Sequence, residues 1–118
     1  MLRKGDALML TQNITELKES FVHAISPVRI YLFGSYADDT FTEESDYDFY
    51  IIVDDSVNDI PAATTRAYKS VRNIKNRPVD ILLATASHFS SKTNISSIER
   101  SVLQKGVLLY DRNNKALA

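Results

Sequence analysis

The chain contains no cysteine and only three glycines and three prolines in 118 residues. Without thiols there is neither a disulfide framework nor a thiolate zinc site, and cysteine nucleophile chemistry is excluded; the absence is compatible with a reducing cytosol. No apolar run reaches eighteen residues, and "MLRKGDALML" follows its basic start with only a broken apolar stretch. A soluble, unexported, cytoplasmic protein with no membrane partner is therefore expected. Positive charge is missing from one long segment. Between Arg29 and Arg66 there is no lysine or arginine, yet nine of the fifteen acidic residues lie there: Asp38, Asp39, Glu43, Glu44, Asp46, Asp48, Asp54, Asp55 and Asp59.

What is present describes a folded protein. A hydrophobic content of 44% and a charged content of 25% are ordinary for a globular chain, and the length suits one domain over residues 1–118, folding alone or as a homo-oligomer. The net charge of −1 argues against direct nucleic-acid binding, which depends on a positive surface that releases counterions. Charge is nevertheless segregated. The acidic block is followed by Arg66, Lys69, Arg72, Lys75 and Arg77 with no acid among them, so the two faces could suit a metal and an anion respectively.

Leu10, Ile14, Leu17, Phe21 and Ile25 recur at helical spacing and predict a helix over about residues 10–25, stopped by Ser26-Pro27. "VRIYLF" (28–33) reads as a buried strand ending in a tight Gly34-Ser35 turn, and "YADDTFTEES" as a loop or one helical turn. "DYDFYIIV" (46–53) resumes as a strand, in which Asp46, Asp48, Tyr50 and Ile52 share one face. A helix from Ile60-Pro61 to about residue 75 follows, with Ala63, Ala67, Val71 and Ile74 apolar and Arg66, Lys69 and Arg72 basic. "PVDILLAT" (78–85) predicts a third strand; Ile95, Ile98, Val102 and Leu103 mark a short helix capped by Gly106, and "VLLYD" (107–111) a last strand. Asp46 and Asp48 are the puzzle, since carboxylates carried into a sheet need a counter-charge and none is near in sequence.

Gly34-Ser35, ten intervening residues, Asp46-Tyr47-Asp48, and Asp80 after Pro78-Val79 together resemble the nucleotidyltransferase motif of the DNA polymerase beta superfamily. In size the match is to the minimal nucleotidyltransferases, antitoxin-type proteins encoded beside a helical partner. The specific part covers about residues 28–84; "SVLQKGVLLYD" is similar to the family's ending but less diagnostic. The resemblance implies an α/β (α+β) fold, a small mixed sheet with helices packed on one face.

It also implies a chemistry. Asp46, Asp48 and Asp80 would be catalytic and would bind metal, Mg²⁺ in two copies, since hard oxygen ligands suit that ion and nucleotidyl transfer needs charge neutralised on attacking and leaving oxygens. Gly34 and Ser35 would bind the nucleotide phosphates. The implied activity moves AMP from ATP, or another nucleotide from its triphosphate, onto a hydroxyl of a partner protein, a small helical toxin, because 118 residues leave no room for a domain holding the second substrate.

One departure leaves a second reading open. Where many relatives read Gly-Ser-x-Ala-Arg-Gly, this chain reads Gly34-Ser35-Tyr36-Ala37-Asp38-Asp39. Two acids near a triphosphate repel it unless they are screened. The alternative is a catalytically weak or inactive module that neutralises its partner by contact. Other candidates are bland: Arg66, Lys69 and Arg72 suit a solvated helix face, His23 and His88 lack partners at ligand spacing, and Tyr36 and Tyr47 are core material before they are base-stacking groups.

Overall fold

The computed structural model describes residues 4–37, 40–42 and 44–114, with side chains of the first helix described from Thr11 onward. Helix α1 (Lys4–Ile25) begins earlier than its apolar spacing announces. Leu17 and Phe21 are fully buried and Ile14 and Ile25 pack beside them, while Leu10 lies outside the described side chains. Strand β1 (Arg29–Phe33) passes into a 3-10 turn over Gly34–Tyr36, and β2 (Tyr47–Val53) returns antiparallel to it. Helix α2 (Ile60–Val71) starts at Asp59, whose side chain accepts from the Ala62 amide at 3.0 Å, with Pro61 in its first turn. These are the orphan-donor solutions expected at a helix start. Ile74, read as helical core, falls past the helix end and is 38% exposed.

Strand β3 (Val79–Thr85) lies parallel to β2, and β4 (Val107–Asp111) antiparallel to β1, giving a mixed four-stranded sheet in the order β3-β2-β1-β4. Between β3 and β4 come α3 (Ala86–Lys92), capped by Thr85, and α4 (Ile98–Lys105), capped by Ser97. No described helix is long and apolar enough to cross a membrane.

Helices cover both faces of the sheet, which corrects the expectation of helices on one face. Ile30, Leu32, Phe49, Ile51, Val79 and Ile81 meet α1 and α2 through Leu17, Phe21, Ala67 and Val71. On the reverse, Tyr31, Tyr50, Ile52 and Ala84 meet Phe89 of α3 and Val102 of α4. The physical reason is that β2 is apolar on both sides beyond Asp48, so Tyr50 and Ile52 would face water without a second layer. In α4 the buried positions are Glu99 and Val102; the expected apolar markers Ile95, Ile98 and Leu103 are about half exposed.

Candidate active site

Asp48 and Asp80 are register partners on the parallel strands β2 and β3, and Phe33 pairs with Asp48 from β1. Adjacent strands run about 4.8 Å apart and register partners project to the same face, so the two carboxylates stand side by side where β1 gives way to the Gly34 turn. This is the face carrying Tyr50 and Ile52, just past the cover of α3 and α4. Asp48 is half-buried and Asp80 exposed.

Asp46 falls one residue before β2 rather than inside it. Pairing begins at Tyr47, whose amide donates to the Pro78 carbonyl at 3.0 Å, and Pro78 has no N–H to return. Asp46 is still near enough to act on its neighbour. Burial pushes the Asp48 carboxyl above its ordinary range, and the negative charges of Asp80 and then Asp46 push it further. Two acids crowd a third, and among the described residues no cation offsets their push on Asp48.

Gly34 is shaped by the same carboxylate. Its φ of +73° lies in the left-handed region, and a Cβ there would collide with the Asp48 carboxylate, lying 3.2 Å from its Cγ. Only glycine serves both demands. Beyond it, Ala37 N–H donates to the Gly34 carbonyl and Thr40 N–H to the Ser35 carbonyl, both at 3.0 Å. Asp38, Asp39 and Glu43 lie outside the described residues.

Tyr36 and Tyr47 belong to the core. Tyr36 stacks on Phe41 at 4.6 Å and contacts Tyr47 at 5.0 Å, and both tyrosines are buried. The Tyr47 hydroxyl donates to Asn76 at 2.9 Å and is pushed up to about 12, by burial foremost and then by Tyr36, against the lowering effect of the hydrogen-bonded Arg77. Arg77 thus brings a cation to the start of β3, beside the residues that precede Asp48. Sequence distance hid it. Arg66, Lys69 and Arg72 are exposed on α2, across the sheet from Asp48.

A model of the family "Polymerase beta, Nucleotidyltransferase" matches residues 15–115. The chain belongs to the polymerase beta nucleotidyltransferase family. Among solved structures, a Sulfolobus solfataricus protein assigned as a nucleotidyltransferase is similar at a TM-score of 0.57 and 16% identity, over 91% of this chain and 85% of that one. A toxin–antitoxin structure with AMP-PNP is similar at a TM-score of 0.56 and 19% identity, over 84% of this chain and 74% of that one. Both likenesses are of fold. No curated protein sequence matches.

The donor set of this nucleotidyltransferase domain suits magnesium in its chemistry. Asp46, Asp48 and Asp80 offer only hard oxygen donors, and the upward push on Asp48, from burial first and then from Asp80 and Asp46, includes negative charge that a cation would relieve. Among the described residues no three acidic or histidine side chains converge closely enough to form a cage by themselves. Mg²⁺ is commonly held by one or two carboxylates together with substrate phosphates and water.

Proposed function

We propose that this domain is a Mg²⁺-dependent nucleotidyltransferase that moves a nucleotide, AMP from ATP, onto a hydroxyl of a partner protein with release of pyrophosphate, and that it serves as antitoxin to a helical toxin. The observation that carries the reading is the register pairing of Asp48 with Asp80 against Gly34, with Asp46 acting on the same carboxylate. Asp46 and Asp48 would hold magnesium against the triphosphate, and Asp80 would join them there. Bound magnesium would neutralise charge on the attacking and leaving oxygens of the displacement at the α-phosphorus. The Gly34 backbone lets phosphate approach without a side chain in the way, and Ser35 supplies a hydroxyl donor. Asp80, the most exposed of the three acids, stands where an acceptor hydroxyl can reach it and can orient that hydroxyl or take its proton. Family membership supports transfer chemistry; the partner and antitoxin role are supported by the toxin–antitoxin structure with AMP-PNP.

The test is transfer of label from α-labelled ATP to a co-expressed partner, with γ-labelled ATP as control. Label from the α position alone, lost in Asp46→Asn and Asp48→Asn, is expected. Transfer that persists in both variants overturns the mechanism. A second reading, a module that binds its partner without catalysis, draws on Asp38 and Asp39, two acids where many relatives carry Arg-Gly. Under it, folded Asp48→Asn neutralises the partner as well as wild type does.

A further inference from the structure

On the reverse face of the sheet, a pocket of about 310 Å³ adjoins the Gly34 turn. Phe33 and Gly34 form one side; Ile98, Ser101 and Lys105 of α4, with Gly106, form the other. Positions 98, 101 and 105 lie on one helix stripe. The pocket borders the carboxylate site, because Phe33 is the register partner of Asp48 and Gly34 abuts its carboxylate.

Two features fix α4 there. The Tyr50 hydroxyl donates to Glu99 Oε2 at 2.8 Å, tying the helix to the strand that carries Asp48. At the other end, Gly106 donates its N–H to the Val102 carbonyl at 2.8 Å and lies so close to β1 that a Cβ would sit 3.3 Å from the Leu32 carbonyl oxygen. The fold thereby brings a lysine to a turn after which the sequence has no lysine or arginine until Arg66.

We propose that Lys105, with the Ser101 hydroxyl beside it, binds the phosphates of the nucleotide and supplies the positive charge that the Gly34-Ser35 segment lacks. This rests on the reading that the Gly34 turn meets nucleotide phosphate. Among the described residues no ion pair or hydrogen bond engages the Lys105 side chain. Lys105 is exposed at the rim of a pocket whose apolar wall is Phe33 and Ile98, leaving its ammonium free to meet an anion there. Lys105 also occupies the last turn of α4, where a cation suits the helix dipole; that role affects folding, not nucleotide affinity.

Equilibrium dialysis of ATP with Mg²⁺ against wild type, Lys105→Ala, Lys105→Arg and Asp48→Asn separates the possibilities, with thermal melting of each. Binding weakened about tenfold or more in Lys105→Ala and restored by Lys105→Arg is expected, as for a charge-assisted phosphate contact. Wild-type affinity in Lys105→Ala overturns the proposal while leaving the carboxylate site standing if Asp48→Asn has lost binding. Equal weakening in the Ala and Arg variants also overturns it, because charge is then not the cause. Absence of ATP binding by folded wild type overturns both this proposal and the reading beneath it.

Discussion

Gly34→Ala tests the link between the turn and the carboxylate site. The substitution forces alanine into a φ of +73°, which costs about 1–2 kcal/mol for a residue bearing a Cβ. It also drives that Cβ into the Asp48 carboxylate, 3.2 Å from Cγ, and moving a packed side chain aside adds about 1 kcal/mol. Only the second cost depends on Asp48. In an Asp48→Ala background the nearest remaining atom is the residue 48 Cβ, at an ordinary contact of 3.5 Å, so the same change costs about 1 kcal/mol less. Urea unfolding of wild type, both single variants and the double variant closes the cycle, with a coupling of about 1 kcal/mol expected for groups in contact. Activity should fall further than stability does, since a carboxylate displaced by about 1 Å can cost on the order of a hundredfold in rate. An identical cost of Gly34→Ala in both backgrounds would refute the reasoning.

Burial, Asp80 and Asp46 hold the Asp48 carboxyl above the ordinary carboxylate range. Stability from this group is therefore fully present below the unfolded value of about 3.9 and is lost as pH rises through the folded value. Asp48→Asn is expected to melt above metal-free wild type at pH 7, with the gap closing on acidification; a variant melting lower at pH 7 would contradict this. Magnesium should raise the melting temperature of wild type and leave Asp48→Asn unmoved, with a chelator reversing the gain; equal shifts in both proteins would count against Asp48 as a ligand. Tyr50→Phe removes the donor of a buried carboxylate and should cost about 1–3 kcal/mol in chemical denaturation; a neutral result would mean that Glu99 finds another donor. Phe49→Ala empties a fully buried position packed edge-on against Phe21 at 5.1 Å, and a loss of about 3–5 kcal/mol is expected in the same assay.

Much of this architecture was legible in residue order. The Asp-x-Asp strand, the Gly-Ser turn and Asp80 pointed to the polymerase beta fold, and strand spacing placed β1, β2, β3 and β4 within a residue or so. Strand order was not legible, because register pairing is long-range; only the fold shows that Asp80 stands beside Asp48. Helix α3 escaped notice because "ASHFSSK" carries a single large apolar residue, Phe89, and no stripe. For α4 the apolar pattern was right for Val102, which is buried, but not for Ile98 and Leu103, since the helix turns Glu99 inward to meet Tyr50. Sequence alone could not foresee that a buried hydroxyl would make an acid the better inward residue. Lys105 was likewise invisible, lying more than seventy residues from the turn it approaches.

Calorimetric titration of MgATP into wild type and Asp48→Asn, with a metal-free control, tests the central claim most directly. The account predicts binding by wild type that requires Mg²⁺ and is absent from the folded variant. Equal binding by both proteins, or binding indifferent to magnesium, would contradict it.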